Sequence, residues 1–202
     1  MDRGHSSPAG LSRRDLRRIF IGLYPSVKGL ARIRQIVDDL PRSLHMENPE
    51  DLHVTILFGG DQLSRQEPLW NRATLRTAQA LDPLSRLPMR DFFLERRRSI
   101  LAIRFFGSDP FWKVVDGLAT DLSGELLGLF STRTFWPHMT LCRRIPPKMH
   151  DADCPMPRAH SPGDSPFFAG VRLYASPDPE ERGRKRYITL SDFPFRQEQH
   201  GI

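Results

Sequence analysis

The stretch LHVTILF (residues 52–58) places a histidine two residues before a threonine inside an apolar run. The stretch WPHMTLC (residues 136–142) repeats this arrangement, and 85 residues separate the two histidines. Apolar runs of this length are typical of buried β-strands. The sequence therefore predicts two similar strands that each carry a His-x-Thr pair.

Side chains alternate between the two faces of a strand, so residues two apart lie on the same face. His53 and Thr55 thus share one face, and His138 and Thr140 share one face of the second strand. Each strand turns its apolar residues to the opposite face. Two such strands packed side by side present two imidazoles and two hydroxyls to a common cleft.

Two imidazoles in one cleft can act as an acid and a base, because an unperturbed histidine titrates near about pH 6.5. Such a pair can activate a water molecule and protonate a leaving alkoxide, without a metal or cofactor. The threonine hydroxyls can donate hydrogen bonds to a phosphate. The histidine of a single His-x-Thr strand is more often packed in the protein or exposed to solvent than catalytic. Its duplication favours catalysis.

Composition and charge limit the class of protein. The chain has 202 residues, 39% of them hydrophobic, which is enough for the core of one sizeable domain. It has 30 Lys and Arg against 24 Asp and Glu, a net charge of +6 that favours an anionic partner such as nucleic acid or a membrane surface. No apolar stretch approaches the roughly 18 residues of a membrane span. The two cysteines fit a reducing compartment, and we expect a cytoplasmic protein without a disulfide framework or structural zinc.

The rest of the chain alternates between strand-like and helix-like patterns, and residues 1–16 are expected to form a mobile tail. Besides the two His-x-Thr strands, strands are predicted at residues 17–24, 89–94, 99–105, 167–176 and 186–191, and helices at residues 26–40, 68–81 and 108–126. Residues 144–166 are rich in proline and predict a long loop. This order of elements predicts two similar α+β halves, each with one His-x-Thr strand.

The pair HVT and HMT resembles the signature of the two-histidine phosphoesterases. RIFIGLYPS, EDLHVTILFGG, FWPHMTLCR and VRLYASPDPEERGRKRYITL are similar to segments of the bacterial RNA 2',3'-cyclic phosphodiesterase branch, also called 2'-5' RNA ligase. The resemblance implies a single bilobal α+β domain over residues 17–202, with two antiparallel sheets flanking a central cleft and helices outside. It also implies hydrolysis of a 2',3'-cyclic phosphate end of RNA to a 2'-phosphate, and reversible ATP-independent 2'-5' ligation. No cofactor is implied. The expected partner is RNA with such an end, tRNA fragments being one class, and we expect a monomer.

The resemblance also assigns roles to individual residues. His53 corresponds to the general acid for the leaving 3' oxygen and His138 to the base that activates water, although the residues alone leave the two roles interchangeable. Thr55 and Thr140 would hold the non-bridging phosphate oxygens. Arg143 would add a phosphate contact. It follows His138 by five residues, an odd offset that turns it to the opposite face unless a bulge intervenes or its long side chain reaches over. Otherwise Arg143 is a surface cation.

Base recognition is a further hypothesis. Trp136 precedes His138 by two residues and would share the cleft face, where it could stack on a nucleobase, as could Phe20 on the first strand. Both rings could instead belong to the core. The basic runs at residues 96–98 and 182–186 could follow a phosphate backbone or be solvated surface. Asp51 stands where the family often has asparagine.

Two other functions stay open at this point. One is a two-histidine phosphodiesterase of small cyclic nucleotides or of 2'-5' oligoadenylates. The other is an RNA-binding module that has lost its chemistry. The presence of both histidines and both threonines argues against this second function.

Overall fold

The protein is described by a computed structural model. The structure describes residues 16–38, 40–63, 66–82, 89–95, 99–105, 109–123, 137–145, 167–177 and 186–196. The predicted tail lies almost wholly outside the described residues, and the predicted proline-rich loop lies outside them from residue 146 onward.

The first half of the chain forms four elements, whose predicted positions are confirmed to within a few residues. They are strand β1 (Leu16–Pro25), helix α1 (Val27–Asp38), strand β2 (Val54–Leu63) and helix α2 (Glu67–Leu81). A short 3-10 helix, Pro49–Asp51, precedes β2. The hydroxyl of Ser26 accepts a hydrogen bond from the Gly29 backbone N–H at 3.0 Å, so this serine caps the start of α1.

The remaining elements also follow the predicted order. They are strand β3 (Met89–Glu95), strand β4 (Ile100–Phe105), helix α3 (Asp109–Ser123), strand β5 (His138–Arg143), strand β6 (Phe168–Ala175) and strand β7 (Ile188–Pro194). Strands β6 and β7 pair antiparallel, which confirms the predicted terminal pair.

The seven strands form one sheet in the order β3-β4-β5-β2-β1-β6-β7, and each described pairing is antiparallel. This differs from the expected two separate sheets. Strands β2 and β5 meet at one residue pair, Val54 and Met139, which joins the two halves. Both side chains are fully buried, so they belong to the same core, and that shared core is the physical reason that the halves merge.

The three helices pack on one face of the sheet. Their apolar residues form a single cluster with inward-facing strand residues, including Trp70 of α2, Phe111 and Val115 of α3, and Ile21 and Leu173 of the sheet. The opposite face carries the His-x-Thr side chains. In the parts of the chain that the structure describes, no helix is both long and apolar enough to span a bilayer.

Candidate active site

Strands β2 and β5 each contain a bulge at the same distance from their histidine. In β2, Leu57 pairs with Ile21 and Thr55 with Gly22, so one residue of β2, Ile56, is extra. In β5, Leu141 is extra in the same way, because its neighbours Cys142 and Thr140 pair with successive residues of β4. The extra residue shifts the alternation by one position beyond the bulge.

The bulges bring the fifth residue after each histidine back to the histidine face. In β5 this residue is Arg143, which therefore lies on the face of His138 although it follows that histidine by an odd number of residues. In β2 it is Phe58, which pairs with Phe20 and is 49% exposed. The two His-x-Thr strands therefore share a local backbone pattern as well as a sequence pattern.

The pairing of β2 with β5 sets the two His-x-Thr pairs beside each other. In an antiparallel register centred on Val54 and Met139, His53 lies opposite Thr140 and Thr55 lies opposite His138. Directly opposed residues of a regular antiparallel pair have Cβ atoms about 5 Å apart. All four polar side chains are half-buried. The fold thus collects the predicted quartet on one face.

Aromatic rings surround His53. The ring centroids of Phe20, Tyr174 and Tyr187 lie 4.7, 5.0 and 5.1 Å from the centroid of the imidazole. Gly22 lies beneath this group, and a Cβ atom there would come within 3.3 Å of Tyr174 and 3.4 Å of His53. The tightest contact of such a Cβ atom would be with the Val54 carbonyl oxygen at 3.1 Å, so residue 22 lies where the backbone of β2 and the ring of Tyr174 leave little space.

The hydrogen bonding of His53 fixes its tautomer. Its Nδ1 lies 2.7 Å from the Asp51 backbone carbonyl oxygen, and a carbonyl only accepts, so Nδ1 carries a proton. Nε2 is then the ring nitrogen that is left to accept a proton. Burial lowers the pKa of His53 to about 4, helped by the positive charges of Arg143, His138 and Arg186 and opposed by the bond to Asp51. His53 is therefore neutral near pH 7.

Asp51 links the first motif to the last strand pair. Its side chain is buried, which raises the pKa of the carboxyl, while backbone N–H groups of Arg186 and Tyr187 donate hydrogen bonds to it. Its backbone carbonyl holds His53. One residue thus positions the imidazole, the ring of Tyr187 and the start of β7.

Arg143 is placed by a carboxylate. Its Nε lies 2.9 Å from Oε1 of Glu47, an ion pair whose angles are not those of an aligned hydrogen bond. Nη1 of Arg186 donates to the same oxygen at 3.2 Å. Glu47 itself is fixed by its backbone N–H, which donates to the Leu141 carbonyl at 2.7 Å.

A further arginine on this face, Arg172, has its charge balanced by a carboxylate. Arg172 pairs with Gly22 across the sheet and forms an ion pair with Asp192 at 2.9 Å. Its guanidinium lies 3.8 Å from the centroid of the Tyr24 ring. Burial and the nearby Asp192 carboxylate raise the pKa of Tyr24. This cluster flanks the site, and the charges of Arg172 and Asp192 cancel.

The residues predicted to contact a base differ in their placement. Phe20 lies in the site but is only 3% exposed, with its ring against His53 and Tyr174, so its position suits packing against the imidazole rather than contact with a base. Trp136 lies outside the described residues, as do the basic runs at 96–98 and 182–185.

Sequence reasoning missed several contributors to the site. Tyr174 lies in the predicted strand 167–176, but its place beside His53 depends on the pairing of β6 with β1, which the sequence alone does not give. No pattern near Glu47 in the sequence indicates its place in the site, because its two arginine partners are distant in sequence. Among the residues that the structure describes, no three His, Cys, Asp or Glu side chains are grouped as a metal site would require.

The chain resembles solved structures over most of its length. Escherichia coli LigT complexed with 3'-AMP has a TM-score of 0.60 at 20% identity, covering 90% of this chain and 99% of that chain. TT0787 of Thermus thermophilus has a TM-score of 0.61 at 21% identity with the same coverage. A structure described as a phosphoesterase has a TM-score of 0.56 at 19% identity, again with that coverage. Neither a family model nor a curated protein sequence matches the chain. The chain therefore has the fold of these LigT, TT0787 and phosphoesterase structures.

Proposed function

We propose that this protein is a two-histidine phosphoesterase that hydrolyses 2',3'-cyclic phosphate ends of RNA to 2'-phosphates. The observation that carries the proposal is the antiparallel pairing of β2 and β5 at Val54 and Met139, because that register sets each histidine opposite the threonine of the other strand and so forms a crossed quartet. A tetrahedral phosphate fits between two such pairs, because each pair offers one hydroxyl donor and one group that can exchange a proton. The fold shared with LigT and with a phosphoesterase supports the same class of chemistry.

The proposed reaction is an in-line displacement at phosphorus. Water attacks the cyclic phosphate, the bond to the 3' oxygen breaks, and the 2' oxygen keeps the phosphate. One histidine removes the proton of water and the other protonates the leaving 3' oxygen, so protons balance over a turnover. We assign the acid to His53 and the base to His138. His53 is neutral near pH 7, and the negative charge of a bound phosphate would favour its protonated form.

Thr55 and Thr140 are proposed to hold the non-bridging phosphate oxygens as charge develops in the transition state. Arg143, returned to this face by its bulge, adds a positive charge. No step in this scheme uses a metal or a cofactor. Phe58 is a better candidate than Phe20 for stacking on a base, because it shares the face of His53 and is far more exposed.

The test is incubation with a short RNA ending in a 2',3'-cyclic phosphate in the presence of a chelator. We expect a product with a 2'-phosphate and a 3'-hydroxyl. Turnover of small cyclic nucleotides or 2'-5' oligoadenylates, with the RNA end left intact, would favour the alternative two-histidine enzyme. Binding of RNA without turnover of any of these would favour the binding module. Ligation is tested by supplying the product together with an RNA bearing a 5'-hydroxyl.

The remaining expectations stay predictions. They are RNA fragments such as those of tRNA as substrates, a cytoplasmic location and a monomeric state.

A further inference from the structure

Two arginines from distant parts of the chain converge on one oxygen atom beside the quartet. Arg143 follows the bulge of β5, and Arg186 immediately precedes Tyr187, whose ring contacts His53. Both guanidinium groups contact Oε1 of Glu47, at 2.9 and 3.2 Å. Both lie close enough to His53 for their charges to lower its pKa.

Glu47 lies beneath the arginines rather than in front of them. Its side chain is 12% exposed, whereas those of Arg143 and Arg186 are 33% and 48% exposed. A guanidinium carries five N–H donors in a planar fork, and the contact with Glu47 uses only part of each fork. The carboxylate therefore supports the two cations from the protein side and leaves their outer edges accessible.

The backbone of this group is anchored at several points. Met46 forms an isolated bridge with Cys142, and the Glu47 N–H donates to the carbonyl of the preceding residue of β5, Leu141. The backbone N–H of Arg186 is bonded to the Asp51 carboxylate. Such supported groups lose little conformational entropy when they bind a ligand.

The charge of the group matches one phosphodiester. Glu47 neutralises one of the two arginines, so the three side chains together keep one positive charge. A phosphodiester carries one negative charge, and arginine forks suit its geometry. The quartet already provides donors for the reacting phosphate, so this group can serve another.

We propose that Arg186, held beside Arg143 by Glu47, forms a second phosphate site that binds the internucleotide phosphodiester next to the cyclic end, with Arg143 placed between this phosphate and the reacting one. This inference rests on the proposed function and narrows its substrate to the ends of polynucleotides rather than mononucleotides. Arg186 determines this specificity, and Glu47 is a positioning residue that acts through the arginines.

The test compares a five-nucleotide RNA ending in a 2',3'-cyclic phosphate with the corresponding nucleoside 2',3'-cyclic monophosphate. For Arg186→Gln, we expect the ratio of kcat/KM for the RNA to kcat/KM for the mononucleotide to fall about tenfold, the size of one lost charge-assisted contact. The slope of log kcat/KM against log salt for the RNA should become shallower by about 0.7, the contribution of one phosphate of a single strand. Glu47→Gln should lower the ratio by a smaller factor.

The matched control is Arg34→Gln, which removes the same charge from an exposed position on α1, on the helical face of the sheet. It should leave the ratio unchanged. Arg186→Lys keeps the charge without the fork, so it should retain the salt slope and recover only part of the ratio.

Dissociation constants for the products, the RNA with a 2'-phosphate end and the nucleoside 2'-monophosphate, give the same comparison without turnover. Arg186→Gln would overturn the second site if it lowered kcat/KM equally for both substrates and affinity equally for both products. It would also overturn the second site if it lowered neither quantity for any of them. If the parent protein turns over neither substrate, the proposed function fails, and the dissociation constants still decide whether Arg186 reads a second phosphate.

Discussion

The environment of His53 makes its protonation state sensitive to a ligand. Aromatic rings and burial disfavour the imidazolium, while a bound phosphate would favour it. A group whose charge changes on substrate binding is suited to deliver a proton only when substrate is present.

The low pKa of His53 has a consequence for stability. The pKa is about 4 in the folded protein and about 6.5 in an unfolded chain, so the unfolded chain binds the proton more tightly. The free energy of unfolding should therefore fall as pH drops from about 6.5 to about 4, by up to about 3 kcal/mol from this residue. Urea unfolding at several pH values should show that acid lowers the free energy of unfolding less in His53→Gln than in the parent. The exposed His45→Gln is the control and should behave as the parent does; an equal acid loss in His53→Gln would contradict the account.

The acid and base roles can be separated by the leaving group. Replacing the bridging 3' oxygen of the cyclic phosphate with sulfur gives a thiolate, which needs no proton to leave. The loss of rate caused by His53→Ala should be at least about tenfold smaller on the sulfur substrate than on the oxygen substrate, because only the acid becomes dispensable. His138→Ala should not recover. Recovery of His138→Ala alone would reverse our assignment.

Paired bulges define the site at the scale of the strands. Ile56 and Leu141 are inserted at equivalent positions, and they return Phe58 and Arg143 to the face of the histidines. The sequence hints at them, because two consecutive apolar residues interrupt the alternation in each strand. It does not say which residue is extra, since that depends on pairing with β1 and β4.

The contact between α1 and the start of β6 provides a test of packing. A Cβ atom on Gly29 would overlap the Phe167 backbone carbonyl, so Gly29→Ala should destabilise the protein by about 1–3 kcal/mol despite the better helix propensity of alanine. Gly117 of α3 is exposed with open space around it, so Gly117→Ala should stabilise by about 0.5–1 kcal/mol. Denaturant midpoints of the two variants should move in opposite directions; a shift in the same direction would contradict the described packing.

The described elements form one sheet over one core. Val54 and Met139 are the pair that joins the sheet, and both lie in the cluster that runs beneath both halves. We therefore expect one cooperative unfolding transition, coincident by circular dichroism and tryptophan fluorescence. Met139→Ala should lower the stability of both halves together, by about 2–5 kcal/mol. Separate transitions for the two probes would show that the halves unfold independently.

Local patterns explain why much of this fold could be predicted. The apolar stripe of α3 and the alternation in β1 depend on neighbours in sequence, and both were located from sequence alone. The merging of two sheets into one depends on the pairing of β2 with β5 at Val54 and Met139, which are far apart in the chain. The group formed by Glu47, Arg143 and Arg186 is equally non-local. The buried position of Phe20 depends on where Tyr174 and His53 fall, which no local pattern reveals.

The most direct test of the central claim is single-turnover hydrolysis of an RNA 2',3'-cyclic phosphate by the parent, His53→Ala, His138→Ala and the double variant, in chelator. If the two histidines act as one acid-base pair, each single variant should lose at least about a hundredfold in rate, and the double variant should lose little more than either single one. The account would be contradicted if either single variant kept a tenth or more of the parent rate.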